Sequence, residues 1–323
     1  MRGGGTVIGT VRGPVSSAEL GTVLMHEHVF VLSEDLRRAL PKLWQEEEQI
    51  AAAVARLQEL KAVGVDTIVD PTVLGLGRDI ELVAKVNAQV DINIIPATGL
   101  YTYHDLPFYL HHHGPNMLLG GDDMLVDLFV QDVTEGIAGT GIKAAFLKCA
   151  IETELSPGVE RVMVAVAEAH KRTDAPITVH TNPNARTGLV AQEIFKREGV
   201  DLGVLVIGHS GDTTDQDYLH EVIDNGSYIG MDRFGLDVLL PADARIATVA
   251  ALAGQGLSDR MVLAHDASCH IDWFPPGVRD AVAPNWHYTF IHTTVIPALK
   301  EAGVTDEQLT TMLVDNPRRY FSR

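Results

Sequence analysis

Two histidines two residues apart, His26 and His28, carry the first chemical signal in this chain. In an extended segment that spacing turns both imidazoles to one face, where their ring nitrogens can hold a divalent cation. Further along stand His180, His209 and Asp266, nitrogen and oxygen donors of the kind that zinc, cobalt, manganese or iron accept. Lys148 is different, because an ammonium repels cations. It follows the apolar run Ala144-Ala145-Phe146-Leu147, and burial there favours the neutral amine. A neutral amine can take up CO2, and the carbamate so formed (N6-carboxylysine) has two oxygens able to bridge two cations. Four imidazoles, one carboxylate and one carboxylated lysine suffice for a two-metal site, which would lower the pKa of a shared water and polarise a substrate oxygen.

Such a site needs an element order that brings distant residues to one rim. Eight short runs rich in apolar residues recur at 21–25, 66–70, 92–98, 142–147, 176–180, 204–208, 227–231 and 260–264. Several are apolar on both faces, as parallel strands covered by helices are. Helical patterns lie between them. Residues 46–63 place Ile50, Val54, Leu57 and Leu60 on one stripe, and 159–170 do the same with Val162, Val166 and Ala169. Residues 242–254 are alanine-rich, and Thr305 with Gln308 reads as a capping box. This alternation predicts an α/β chain forming a single domain over 1–323, a (β/α)8 TIM barrel with its chemistry at the C-terminal face. A doubly wound open sheet is the alternative, but His26-Glu27-His28 stands where its Gly-rich turn would be.

In the barrel reading the strand ends carry His26 to His28, Lys148, His180, His209, Asp232-Arg233 and His265-Asp266. His265 should face away from Asp266 and serve packing, and Cys149 should point into the helix layer. Two long loops, about 100–121 and 266–288, read as functional or mobile. The first holds His111-His112-His113, whose three rings point in different directions and suit a surface or an interface. The plain alternative for the whole set is six unrelated polar residues packed at strand ends.

Composition narrows the partners. With 25 Lys and Arg against 43 Asp and Glu, the net charge of −18 disfavours nucleic acid and anionic membrane surfaces. No stretch approaches eighteen uninterrupted apolar residues. The first fourteen residues, with Gly3, Gly4 and Gly5, lack an apolar core of signal-peptide length. Two cysteines, Cys149 and Cys269, suit a reducing compartment, so a cytoplasmic location is expected.

Met25-His26-Glu27-His28, Lys148, His180, His209-Ser210-Gly211-Asp212 and His265-Asp266 together resemble the binuclear metal motif of the phosphotriesterase family of the amidohydrolase superfamily. The similarity extends to the segment from Gly230 to Gly235 and to the tail Asp315-Asn316-Pro317-Arg318-Arg319. Within that family, Ala97-Thr98-Gly99-Leu100-Tyr101 and the Arg233 segment look most like the phosphotriesterase-like lactonases.

The resemblance implies two divalent metal ions per chain. His26, His28 and Asp266 would hold the more buried one, His180 and His209 the more exposed, with carboxylated Lys148 and a hydroxide bridging them. That hydroxide would open a lactone ring, an N-acyl homoserine lactone or another hydrophobic lactone, with weak organophosphate triester hydrolysis besides. Asp266 would shuttle the proton, Tyr101 would stand near the bridging oxygen or the leaving group, and Arg233 would orient the ring and the eighth loop unless it merely pairs with a carboxylate. A fatty chain needs an apolar groove, for which Trp273, Phe274, Trp286, Phe30 and Tyr101 are candidates, although the aromatic loop could equally be a subunit interface. Homodimerisation is also implied. The alternatives are an organophosphate triesterase (aryldialkylphosphatase) on the same metals, or a non-catalytic metal-binding barrel.

Overall fold

Twelve strands are present in a computed structural model that describes residues 6–275 and 277–322; the glycines at 3–5 and Pro276 lie outside the described residues. β1 (Val7–Ile8) and β2 (Val15–Ser16) form a small antiparallel hairpin. The chain then enters β3 (Val23–Leu24) and, after a three-residue break, β4 (His28–Val31). There follow β5 (Thr67–Asp70), β6 (Asn93–Gly99), β7 (Phe146–Ala150), β8 (Ile177–His180), β9 (Leu205–Gly208), β10 (Tyr228–Met231), β11 (Met261–Leu263) and β12 (Ser268–Ile271).

β3 and β5 to β11 pair in chain order, every ladder parallel. The Met25 amide donates to the Leu263 carbonyl at 3.1 Å, joining the first stave to the last. Helices separate the strands, including Glu46–Ala62, Pro157–Thr173 and Ala242–Gly254, within a few residues of the sequence patterns. The architecture is the expected (β/α)8 barrel. The Thr305–Gln308 capping box is formed, opening the helix Asp306–Thr310. Among the described residues, no helix is long and apolar enough to cross a membrane.

Alternation along each strand sorts the side chains into two layers. Val23, Val69, Ile95, Phe146, Val206 and Val262 fill the barrel with Tyr320 and Phe321 of the C-terminal helix Asn316–Phe321. Leu147, Cys149, Val179 and Ile207 pack outward against the helices. Lys148 shares the inward face with Phe146, and Cys149 belongs to the outer layer, where burial pushes its thiol up to about 12.

Two boundaries differ from the sequence reading. The fourth strand begins at Phe146 rather than 142, and just before it the Ala144 amide is bound off the sheet, to the Asp132 carbonyl of the preceding helix. Lys148 therefore sits mid-strand. The segment expected as one long loop after Asp266 contains β12, paired in parallel with β4 (Ser268 opposite His28, His270 opposite Phe30), and a short helix, Val278–Val282. This two-stranded ribbon extends the first and last staves past the rim, and its strands, four residues each, are too short for their pattern to announce the pairing.

Candidate metal centre

The six residues singled out by type meet at the C-terminal rim. His26 Nε2 lies 3.4 Å from Asp266 Oδ1 and 3.4 Å from Lys148 Nζ, and His28 Nε2 lies 3.2 Å from the same Asp266 oxygen. His180, at the end of β8, and His209, just past β9, stack edge to face with ring centroids 4.4 Å apart. His209 in turn lies 4.9 Å from the His26 ring. Lys148 and all four imidazoles are buried.

Each ring is oriented by a bond on its other nitrogen. Asp232, one residue past β10, takes His209 Nδ1 at 2.9 Å and the His209 amide at 2.8 Å on Oδ1, and faces His26 Nδ1 at 3.2 Å with Oδ2. His28 Nδ1 donates to Thr72 Oγ1 at 2.7 Å, and Thr72 passes its own proton toward Asp70. Glu27 turns outward, fully buried, and accepts from the amides of His265 and Ala267 at 2.8 and 3.1 Å and from His265 Nδ1 at 2.6 Å. It thereby pins the last stave on both sides of Asp266. His265 Nε2 accepts the Ile291 amide at 2.9 Å, so His265 packs away from the rim.

The backbone is shaped to the same end. His209 and Asp266 have φ of 63° and 55°, left-handed values that cost a non-glycine residue on the order of 1–3 kcal/mol. The Asp266 amide, bound to the His26 carbonyl at 3.0 Å, helps hold that turn. Gly99, at φ 148°, passes so near β7 that a Cβ would lie 1.8 Å from the Lys148 carbonyl. A Cβ at Gly230 would lie 2.3 Å from Asp232 Oδ2, so glycine there makes room for the orienting carboxylate.

Burial sets the charges. It pushes the Lys148 amine down to about 8 and the His180 imidazole to about 4, and it holds His209 well below the usual range and His26 lower than usual. Burial alone would raise Asp266, but His26, Arg233 and His209 outweigh it and keep the carboxyl well below the ordinary range. Burial thus favours neutral imidazoles at His26, His180 and His209, while Asp266 stays ionised and Lys148 loses its proton more readily than an exposed lysine. The donor atoms of His26, His28 and Asp266 lie within 4.8 Å of one another, as a divalent cation requires. His26, His209 and Asp232 also cluster, but Asp232 meets Nδ1 nitrogens and an amide, which makes it an orienting group. The donor set fits a metal centre, and the low Lys148 value suits carbamate formation.

Arg233 turns toward carboxylates. Its Nε donates to Asp266 Oδ2 at 2.8 Å and its Nη1 to Asp212 Oδ2 at 2.9 Å. Tyr101 Oη stands 3.4 Å from His180 Nδ1 and hydrogen-bonds Tyr103 Oη, and burial keeps the Tyr101 phenol protonated. A cavity of about 280 Å³ opens above the cluster, with Tyr101, Tyr103, Leu236, Trp273, Phe274 and Trp286 in its wall. Phe30 does not line it, contrary to the sequence expectation. β4 leaves the barrel wall to pair with β12, and Phe30 packs on the Trp44 ring at 5.7 Å instead. His111 Nε2 bonds the Leu106 carbonyl at 2.7 Å, and His111, His112 and His113 stand apart from the metal-binding clusters.

The sequence marks Asp232 as a strand end without a role, and the roles of Tyr103, Thr72 and Glu27 emerge only in the fold. Tyr103 repeats Tyr101 two residues on, and Glu27 lies between the paired histidines; those were the available signals. Thr72 carries none.

Known proteins resemble this chain over nearly its whole length. The profile of the phosphotriesterase family matches residues 6–321. The phosphotriesterase homology protein of Mycobacterium tuberculosis is 56% identical over 318 residues, covering 98% of each chain. The aryldialkylphosphatase of Saccharolobus solfataricus is 43% identical over 311 residues, 95% of this chain and 97% of its own. The solved structure of the phosphotriesterase from M. tuberculosis superposes with a TM-score of 0.97 at 55% identity, covering 98% of this chain and 99% of that one. With the barrel, the rim cluster and a match running nearly end to end, the chain belongs to the phosphotriesterase family.

Proposed function

We propose that this metal-dependent hydrolase opens lactone rings, N-acyl homoserine lactones and other hydrophobic lactones among them, and cleaves organophosphate triesters as a side activity. The observation that carries the reading is the apolar mouth directly above the rim cluster, in which Leu236, Trp273 and Phe274 can receive a hydrocarbon chain while the ring carbonyl meets the polar floor.

His26, His28 and Asp266 would hold one cation and His180 and His209 a second, with carboxylated Lys148 shared between them. When bound, the pair supplies an activated water and a Lewis acid for the carbonyl oxygen. The rest falls to the chain. As water adds to the lactone carbonyl carbon, Asp266 accepts its proton on Oδ2, the oxygen turned away from His26 and His28, and returns it to the leaving alkoxide. Arg233 holds that oxygen in place and keeps the carboxylate ionised until the proton arrives. The Tyr101 phenol, protonated and next to His180, can donate to the departing oxygen. Trp273 and Phe274 exclude water from the ring.

A second reading, triester hydrolysis as the main activity, is favoured by the 43% identity to the aryldialkylphosphatase. The test is turnover of a long-chain acyl homoserine lactone, a plain δ-lactone and paraoxon, with chelator and after re-addition of single metals. Faster metal-dependent cleavage of the lactones supports the first reading. A higher kcat/KM for paraoxon moves the assignment to the second, and no turnover of any substrate in the metal-replete protein sinks both in favour of a binding barrel.

A further inference from the structure

The four histidines at the rim are not held alike. His26, His28 and His209 each spend Nδ1 on a buried partner, Asp232 or Thr72, and so turn Nε2 inward. His180 is reversed. Its Nε2 lies 2.7 Å from Glu152 Oε2, and its Nδ1 is the nitrogen nearer Tyr101. Glu152 lies two residues past β7, and its side chain is 34% exposed, against 1% for Asp232.

The donor directions around Glu152 are determined by its neighbours. Asn182 uses Oδ1 to accept the amides of Asn184 and Ala185, so its Nδ2 is the donor to Glu152 Oε1 at 3.2 Å. Oε1 is therefore an acceptor; an ionised carboxylate offers only acceptors, so the proton shared between Oε2 and His180 sits on Nε2. A neutral imidazole carries one N–H, so Nδ1 keeps a lone pair for a cation, with Tyr101 Oη 3.4 Å away.

We infer that Glu152 is the positioning residue that fixes the His180 tautomer and so governs retention of the second, more exposed cation. The inference rests on the two-cation reading above and adds an asymmetry to it. The first cation's histidines are oriented by buried groups. Of the second cation's two, His209 is also held by buried Asp232, but His180 depends on one carboxylate at the solvent edge, with Tyr103 Oη, 3.3 Å from His180 Nε2, as a competing and weaker partner.

The experiment titrates cobalt into metal-free protein and follows stoichiometry, the cobalt absorption bands and the rate of release to a chelator, for wild type, Glu152→Ala, Glu152→Gln and Asn182→Ala. Partners of metal-bound histidines typically change affinity by about 10–100-fold. Glu152→Ala should weaken one of two cations by that factor and leave the other at its wild-type affinity. Glu152→Gln, which keeps an acceptor oxygen, should recover most of the loss, and Asn182→Ala should show a smaller one. Thermal unfolding of the metal-free variants checks that the rim still folds. Equal retention of both cations in Glu152→Ala, or parallel loss of both, overturns the inference. A wild type that takes up fewer than two cations overturns the two-cation reading itself.

Discussion

Arg233 bridges Asp266 and Asp212, with Nε 2.8 Å from one carboxylate and Nη1 2.9 Å from the other. Asp212 is held from behind by Arg245, a buried arginine that also donates to the Gly211 carbonyl at 2.7 Å. A chain of alternating charges thus runs from the rim into the helix layer. Burial would lower the Arg233 value, but Asp266 and Asp212 raise it, so the guanidinium stays charged.

Arg233→Lys cannot reproduce that fork. A lysine ammonium keeps the charge but cannot serve both carboxylates with the same geometry, and a buried acceptor left without its donor typically costs about 1–3 kcal/mol. The expected result is a lower urea midpoint in the metal-free protein together with a fall in kcat/KM. Unchanged values for both would show that the bridge is idle.

Asp266→Asn keeps an oxygen for the cation and loses the proton acceptor. Turnover of a lactone should fall by about 10²–10⁴-fold while much of the metal remains bound. Steady-state kinetics beside metal analysis gives the answer, and near-normal turnover removes Asp266 from the proton path.

Asp232 orients His26 and His209, which the proposed assignment gives to different cations. Asp232→Asn should therefore weaken both, by about 10–100-fold each. This contrasts with the single-site loss expected for Glu152→Ala, and a titration of metal-free protein distinguishes the two patterns.

Acid should destabilise the metal-free chain. Burial holds His180 at about 4 and His265 at about 3, whereas both take up a proton near pH 6.5 when unfolded. Between those values the unfolded state binds more protons, so stability is full above about 6.5 and falls as pH drops toward 3. Glu27 works in the opposite sense, because burial raises its carboxyl, but His26 and His209 add to the loss. Urea midpoints at pH 7.5, 6 and 5 should decline in that order. A flat series would mean that the rim histidines are more accessible than their burial implies.

Trp273 is 54% exposed at the mouth of the cavity, beside Phe274. Trp273→Ala should raise KM for long-chain lactones several-fold and spare short ones, since each buried methylene contributes roughly 0.8 kcal/mol. An equal effect on both chain lengths would place the acyl chain elsewhere.

Much of the barrel and the six candidate ligands could be read from the sequence alone. Apolar runs and helical stripes are local patterns, and so is the spacing of His26 and His28. The orienting groups were not legible in the same way. Asp232 meets His209 across 23 residues and His26 across 206, and Thr72 meets His28 across 44, with nothing in the local sequence to mark the partner. Phe30 failed as a pocket residue because the β4–β12 ribbon turns it to Trp44, a consequence of pairing between segments far apart in the chain. Residue type and periodicity thus decided which groups could bind a cation and which fold could gather them. Closure of the barrel decided which nitrogen each histidine presents and which carboxylate holds it there, because hydrogen-bond direction depends on distances that exist only once the staves are side by side.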